Sequence, residues 1–323
     1  MKSNNLKQDM RSAYGNALVN LGSQNHDIVC VGADTTDSLK TKKFGDKFPE
    51  RFFNIGIAEA NLVSIAAGLS MAGKIAFAST YAAFLPGRCL DQIRNAICYP
   101  NLDVKIVVSH AGLTVGPDGA SHQQIEDISI MRSIPNMRVL VPSDATSIYP
   151  ILKNIIEISG PFYVRLARPS SPIIYDSKEL DNFKIGKANV LQDGSDISII
   201  SCGLMVYESI KVAHELKKSH NLSCRVIDAY SIKPIDRNLI IKSSKDTNCI
   251  ITVEEHNIIG GLGSAVTEIC SEDNPSNILR LGVKDTFGES ARDSELNTLL
   301  NLYGLTEKEI TRNILDYMER LKK

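Results

Sequence analysis

Polar residues between positions 107 and 124 are of types, and at spacings, that suit a binding or catalytic site. An apolar run is followed by Ser109 and His110. A glycine-rich turn then carries Asp118, and His122 follows four residues later. In doubly wound sheets, ligands bind beyond the carboxyl ends of the strands. We therefore predict that these side chains, with His122 opening the next helix, converge on one crevice suited to a sugar or its phosphate group.

Each of these residues also has an explanation that requires no ligand. Ser121 and Gln124 could form a capping box that leaves His122 in a first helical turn, and Pro117-Asp118-Gly119 is ordinary turn chemistry. Taken one at a time, these explanations are the simpler ones. The joint placement of the residues at the end of one strand favours a site.

Glu59 is the single charged residue in an apolar stretch, 54–73, whose pattern predicts a helix after a strand. Burying a carboxylate as an ion among Ile, Ala and Leu side chains is costly, and such groups concentrate at functional sites. The alternative is a first-turn glutamate that faces solvent and the helix dipole. The sequence leaves both interpretations open.

Two aromatic residues and an arginine also follow predicted strands. Tyr81 and Phe84 come three residues apart after the strand 75–79 and could form a flat apolar wall for a planar ring, although core packing is the commoner fate of such a pair. Arg168 follows the strand 162–166 and could be an ion-pair partner or a phosphate clamp.

A glycine cluster and a lysine cluster carry less weight. Gly260, Gly261 and Gly263 resemble the start of a dinucleotide fingerprint, but Val266 stands where its third glycine belongs. We expect a tight turn into a helix rather than a phosphate site. Four lysines between positions 40 and 47 are most simply a solvated face.

Short apolar runs alternate with longer helical patterns along the whole chain, which predicts an α/β fold with parallel sheets. The predicted strands are 28–31, 52–55, 75–79, 104–109, 139–142 and 162–166, then 197–201, 224–227, 249–253 and 278–281. Helices are expected at 205–218 and 263–271, and an amphipathic closing helix at 306–323. Prolines and serines after position 168 indicate a boundary between two doubly wound domains, 1–175 and 186–323.

Composition excludes several classes of partner. The 323 residues include 36 basic and 37 acidic side chains, which gives no electrostatic footprint for nucleic acid or an anionic membrane. The seven cysteines contain no C-x-x-C pair, so we expect buried thiols in a reducing compartment. The polar first 15 residues lack a signal peptide's apolar core, so we expect a cytoplasmic protein.

Four motifs, in order, resemble the pyrimidine-binding domain of transketolases. They are Ile57-Ala-Glu-Ala-Asn61, Ser79-Thr-Tyr-Ala-Ala-Phe84, Ser109-His-Ala-Gly112 with Gly116-Pro-Asp-Gly-Ala-Ser-His-Gln123, and Arg132-Ser-Ile-Pro-Asn136 with Pro142-Ser-Asp144. The likeness runs from about Arg11 to the end of the chain, because the second domain resembles the transketolase C-terminal domain.

The resemblance implies thiamine diphosphate as cofactor and assigns roles to the residues above. Glu59 would contact N1′ of the aminopyrimidine and favour its imino tautomer, which takes the proton from C2 of the thiazolium ring. Phe84 would stack on the pyrimidine, with Tyr81 beside it and Arg88 also at the cofactor. The residues expected to bind the sugar, stabilise transfer or hold its terminal phosphate are Arg11, His110, Asp118, His122 and Arg168.

The family holds the diphosphate through Mg²⁺ on a Gly-Asp-Gly motif and a downstream Asn pair, and this chain has neither pattern. No metal ligand is therefore expected here, and the resemblance implies an N-terminal transketolase subunit that carries the diphosphate and Mg²⁺. Because the family's active sites lie between subunits, we expect an α2β2 assembly.

Three other functions remain open. The β subunit of a 2-oxo acid dehydrogenase E1 component shares the split architecture, but the paired histidines suit a polyol phosphate better. Deoxyxylulose phosphate synthase resembles Asp-Arg where this chain has Ser109-His110. A non-catalytic nucleotide-binding module would have to use the defective glycine fingerprint.

Overall fold

The computed structural model describes residues 6–176 and 178–322. Within them the strands are β1 (Lys7–Gln8), β2 (Ile28–Gly32), β3 (Phe52–Asn54), β4 (Ile75–Tyr81), β5 (Val104–Ser109), β6 (Arg138–Leu140), β7 (Phe162–Arg165), β8 (Ser171–Pro172), β9 (Asn189–Gln192), β10 (Ile197–Ser201), β11 (Cys224–Asp228), β12 (Ser231–Lys233), β13 (Cys249–Asn257) and β14 (Ile278–Val283).

The α-helices of the same residues are α1 (Met10–Gln24), α2 (Thr36–Leu39), α3 (Lys42–Lys47), α4 (Glu59–Met71), α5 (Asp127–Ser133), α6 (Ile148–Ile156), α7 (Met205–His220), α8 (Arg237–Asp246), α9 (Leu262–Asp273), α10 (Leu296–Leu302) and α11 (Glu307–Leu321). A π-helical segment, Gln92–Cys98, follows the turn after β4. Among the described residues, no helix has the length and apolarity needed to cross a bilayer.

Two sheets form the centre of the fold, and both are mainly parallel. The larger sheet has the strand order β12-β6-β7-β5-β4-β2-β3, and the smaller has the order β14-β13-β10-β11-β9. A two-stranded antiparallel pair, β1-β8, lies apart from them. The predicted α/β class and every predicted strand are confirmed, with bounds that differ by a few residues.

Four strands were not predicted: the β1-β8 pair, and β9 and β12, which pair antiparallel at the edges of the two main sheets. The pairing of β9 with β11 extends the smaller sheet, and that of β12 with β6 extends the larger one. Strand β12 lies in sequence beyond the predicted domain boundary, yet it completes the first domain's sheet. Three residues before a proline, Pro234, are too few to show an alternating pattern, which is why sequence periodicity missed this strand.

The interior is apolar on both faces of the larger sheet, as parallel strands require. Helix α1 packs on one face through Met10, Tyr14 and Leu18, which are fully buried. The hydroxyl of Tyr14 lies 2.6 Å from that of Ser79 in β4, so the one polar atom of this large side chain has a partner. Helix α1 is thereby fixed next to the carboxyl end of β4.

Other predictions about the chain also hold. All seven cysteines are buried and free. Helix α11 is the predicted closing helix, although Lys323 lies outside the described residues, as do the first five of the polar N-terminal residues. The lysines at 40–47 lie largely on the surface, where Lys42 pairs with Asp46 at 3.0 Å.

A buried polar network joins the two sheets beneath the site. Arg165 of β7 donates to Asp127 at 2.8 Å, and Tyr163 donates to the same carboxylate at 2.8 Å. Arg165 also donates to the backbone carbonyl of Glu255 in β13 at 3.0 Å. Burying an ion pair is tolerable only when its remaining hydrogen-bonding atoms are satisfied, so this network fixes how β7, β13 and the start of α5 meet.

Candidate active site

Adjacent strands β4 and β5 end at the same edge of the larger sheet, where Tyr81 pairs in register with Ser109. The next residue, His110, has a φ of 60°. That conformation is strained for a residue with a Cβ, and such strain is concentrated at functional sites. The turn brings the imidazole ring over Tyr81, with centroids 3.8 Å apart and planes inclined by 24°.

The aromatic stack continues from Tyr81 to Phe84, whose ring centroids are 5.6 Å apart and whose planes are inclined by 23°. His122 meets the edge of Phe84 at 5.5 Å and 72°. Both Tyr81 and Phe84 are partly exposed rather than part of the core. Tyr81 and Phe84 therefore form the flat aromatic wall that the sequence offered, and the rings of His110 and His122 contact it.

Glu59 is the first residue of α4 and is only 7% exposed. Arg88 is its partner, since Nη1 donates to Oε1 of Glu59 at 3.3 Å. The same guanidinium group lies over the ring of Phe84, 4.4 Å from its centroid. The carboxylate is thus buried, as the functional interpretation required, but a cation that the sequence pattern did not reveal stabilises it.

His110 is a neutral imidazole at physiological pH. Burial, reinforced by the positive charges of Arg11 and Arg168, lowers its pKa to about 3. The Nδ1 atom lies 2.8 Å from the hydroxyl of Ser109, which orients the ring. His110 can therefore donate or accept a hydrogen bond here, but it cannot serve as a fixed positive charge.

His122 does not open a helix, contrary to the prediction. It lies in a turn, and helix α5 begins only at Asp127. The proposed capping box of Ser121 and Gln124 is therefore also wrong. Gln124 instead bridges Ala111 as an isolated β-pair, because the loop folds back on itself.

The loop from His110 to Gln124 is held from below by a residue of the second domain. Glu255, in β13, is buried and accepts from the backbone amide of Thr114 at 2.6 Å. Asp118 is exposed at the tip of the loop. Sequence reasoning missed Glu255, although a charged pair, Glu254-Glu255, at the end of an apolar strand was a usable signal.

Arg11 is placed by the start of α1. The Asp9 side chain caps this helix by accepting from the amides of Arg11 and Ser12, and it also accepts from the Arg11 side chain at 3.0 Å. A cap of this kind is typically worth ~1 kcal/mol. Arg11 Nη1 also reaches the carbonyl of Ser38 at 3.5 Å, and the Ser38 hydroxyl accepts from Tyr81 at 2.9 Å.

Arg168 lies with Arg11 in the wall of a cavity of about 570 Å³ between the two domains. Its guanidinium group pairs with Asp293 of the second domain. The hydrogen bond to Asp293, supported by the charge of Asp118, raises the pKa of Arg168. Arg168 is therefore an ion-pair partner, one of the two alternatives that the sequence left open. It also faces a cavity, where the other alternative, a phosphate clamp, would require it.

The glycine cluster is a tight turn into α9, as expected. The Glu254 carboxylate accepts from the amides of Leu262 and Gly263 at 2.7 and 2.8 Å. A Cβ on Gly261 would lie 2.1 Å from that carboxylate, so only glycine fits. Because the chain's own acid fills this helix N-terminus, a phosphate is excluded from it.

The site thus combines a buried acid, an aromatic wall, two histidines and three arginines at one end of the larger sheet. No group of three or more His, Cys, Asp or Glu residues is arranged to hold a metal ion within residues 6–176 and 178–322. Such an arrangement can exchange a proton beside a planar ring and bind a polyol with a terminal anion.

Comparison with known proteins identifies the family. The model of the transketolase pyrimidine binding domain matches residues 7–172, and that of the transketolase C-terminal domain matches residues 186–310. Over 321 residues the chain is 44% identical to a Methanocaldococcus jannaschii protein provisionally assigned as a transketolase C-terminal section, with 99% of each chain covered.

Two further relatives agree. The 6-deoxy-6-sulfo-D-fructose transketolase subunit of Clostridium sp. strain MSTE9 is 36% identical over 311 residues, which cover 96% of this chain and 95% of the relative. A solved structure described as a split gene transketolase, in an inactive β4 tetramer, matches with a TM-score of 0.87 and 45% identity over 96% of this chain and 98% of that one. The chain belongs to the transketolase family.

Proposed function

We propose that the chain is the C-terminal subunit of a split transketolase. It transfers a two-carbon ketol unit between sugar phosphates and turns over only with an N-terminal subunit, in an α2β2 assembly. Its similarity to a transketolase subunit along nearly the whole length of both chains supports this. The related split transketolase structure, a tetramer of four β subunits, is described as inactive, which agrees with dependence on a partner. We also propose the domain division 1–175 and 186–323.

The family implies thiamine diphosphate, and the residues present fit its pyrimidine half. The single observation that carries the proposal is that Glu59 lies buried at the start of α4 while its partner Arg88 also covers Phe84, so acid and ring wall form one site. Phe84 would hold the pyrimidine ring by stacking, with Tyr81 behind it. When bound, the cofactor supplies the nucleophilic carbon and the electron sink for ketol transfer.

Glu59 would exchange a proton with N1′ of the pyrimidine. Arg88 occupies one carboxylate oxygen, Oε1, whereas Oε2 accepts no hydrogen bond from any residue that the structure describes. Oε2 is therefore the oxygen placed for the exchange. Because Glu59 is buried, the proton transfer takes place away from bulk water, where competing proton donors would be abundant.

The sugar would bind between the histidines and the arginines. His122 and Asp118 offer hydrogen bonds for hydroxyl groups, and neutral His110 can donate to the terminal phosphate or to an oxygen that gains charge during transfer. Arg11 and Arg168 would hold the terminal phosphate. The partner subunit would hold the diphosphate and Mg²⁺.

Two alternatives fit the structure less well. A 2-oxo acid dehydrogenase β subunit acts on a short acid, for which a cavity of about 570 Å³ lined by Arg11 and Arg168 is larger than needed. A nucleotide-binding module has no phosphate site at the glycine turn, because Glu254 occupies it. Thermal shifts with NAD, compared with thiamine diphosphate and Mg²⁺ in the presence of the partner, separate the nucleotide-binding module from a thiamine diphosphate enzyme.

The direct test is reconstitution. The chain, the N-terminal transketolase subunit of the same organism, and their mixture are assayed for ketol transfer from a ketose phosphate to an aldose phosphate with thiamine diphosphate and Mg²⁺. We expect activity in the mixture alone. Activity of the isolated chain would contradict dependence on a partner, and an inactive mixture that forms a stable complex would contradict the reaction.

A further inference from the structure

Residues 288–293 of the second domain lie across the glycine-rich loop of the first; we call this segment the strap. The Ser290 hydroxyl donates to the Pro117 carbonyl at 2.7 Å, and the Ala291 amide donates to the Gly116 carbonyl at 3.3 Å. The strap is therefore tied to the same loop that carries Asp118 and His122.

The strap ends at Asp293, whose carboxylate meets Arg168 in two hydrogen bonds of 2.5 and 3.3 Å. The Asp293 side chain is 63% exposed and that of Arg168 is 24% exposed. A Cβ on Gly116 would lie 2.9 Å from the Asp293 carboxylate, so the glycine leaves room for this pair. The loop is shaped to admit the carboxylate.

The second arginine of the cavity, Arg11, also affects Asp293 through its charge. The hydrogen bond from Arg168 is the main cause of the lowered pKa of Asp293, and the charge of Arg11 lowers it further. Both arginines and Asp293 line the 570 Å³ cavity. The chain's own carboxylate thus occupies the position in which these two cations would receive an anion.

We propose that Asp293 is a specificity-determining residue, which a substrate must displace from Arg168 with its own terminal anionic group. This inference rests on the proposed function only for the class of substrate, a sugar with a terminal anion. A partly exposed ion pair contributes little to stability, so a phosphate dianion can exchange for the carboxylate. A neutral sugar has no group that replaces Asp293, and the strap then stays closed.

The test measures binding of inorganic phosphate to the full chain by calorimetry. Asp293→Asn removes the competing charge, so phosphate should bind about two- to fivefold more tightly, the range that an exposed ion pair provides. Arg168→Ala should weaken binding. The matched control is Asp285→Asn, an exposed acid in the loop before the strap that makes no ion pair with the described residues, and it should leave the affinity unchanged.

Hydrogen exchange provides a second measurement that does not depend on any variant. Displacement of Asp293 should speed exchange at residues 288–293 when phosphate is added, whereas an ordinary ligand slows exchange where it binds. Phosphate affinity that is absent, or unchanged or weaker in Asp293→Asn, would overturn the proposal, as would exchange in the strap that phosphate leaves unchanged. Failure of the reconstituted reaction would instead count against the proposed function, because phosphate binding is measured without turnover.

Discussion

Arg88 connects Glu59 to Phe84: one guanidinium nitrogen lies 3.3 Å from the carboxylate, and the guanidinium carbon lies 4.4 Å from the centroid of the ring. The acid and the aromatic wall come from different elements, α4 and the turn after β4. One side chain therefore holds the two halves of the proposed pyrimidine site at a fixed separation.

Glu59→Gln should abolish most turnover while the fold is retained. The amide keeps the size and one hydrogen bond of the acid but cannot exchange a proton, so ketol transfer in the reconstituted enzyme should fall by a factor of about 10²–10⁴. Circular dichroism and the melting temperature check the fold. The control is Glu50→Gln at an exposed acid paired with Arg51; turnover that survives in Glu59→Gln would remove the proton-exchange role.

Arg88→Ala should weaken the use of thiamine diphosphate by the reconstituted enzyme by roughly threefold to tenfold. Arg88 is 59% exposed, so its loss should not unfold the chain. The measurement is the thiamine diphosphate concentration that gives half-maximal activity. Arg94→Ala is the control, because Arg94 is also exposed and bonds only its neighbour Asn95 among the described residues. Unchanged or tighter cofactor use would mean that Arg88 merely covers Phe84.

His110→Ala should raise KM for a phosphorylated sugar more than for the unphosphorylated one, by about threefold to tenfold for one lost hydrogen bond in the phosphate network. Because its pKa is about 3, His110 does not titrate in the working range, so the variant should keep the acidic limb of the kcat/KM profile. His26→Ala, at an exposed histidine, is the control. Equal effects on both sugars would contradict a phosphate contact.

Asp228→Asn should change the free energy of unfolding more favourably at neutral pH than at acidic pH. Burial raises the pKa of Asp228 to about 7, although hydrogen bonds from Ser143 and Tyr175 oppose the rise. The folded state therefore holds a proton that the unfolded state loses near pH 4, and the stability due to this group falls as pH rises from about 4 to 7.

The measurement for Asp228 is chemical unfolding of both proteins between pH 4 and 8. The difference in unfolding free energy, variant minus wild type, should increase across this window with a slope approaching ~1.4 kcal/mol per pH unit. A difference that does not change with pH would show that Asp228 is ionised throughout. Asp316→Asn, at an exposed acid in α11, supplies the control.

Residues that a local sequence pattern places were the predictable part of the site. Tyr81 and His110 each follow a strand whose pattern is strong, and parallel neighbours bring such strand ends together. Glu59 was predictable because one charge in an apolar helix is conspicuous. These residues depend on local pattern and on one general rule of topology.

The contacts between distant segments were not predictable. Asp293 and Arg168 are 125 residues apart, and no periodicity links them. The Glu59–Arg88 pair depends on how α4 packs against the turn after β4. His122 was misplaced because a sequence that can begin a helix can equally form a turn when backbone pairing through Gln124 satisfies the loop.

Because β12 pairs with β6, cutting the chain at the predicted domain boundary would produce an aggregation-prone fragment. Residues 1–175 alone would leave one flank of β6 without its partner, and unpaired strand flanks recruit other copies. Such a fragment should aggregate in dynamic light scattering, whereas the intact chain should not. The second half of the polypeptide thus protects the first half from aggregation through an unpaired strand.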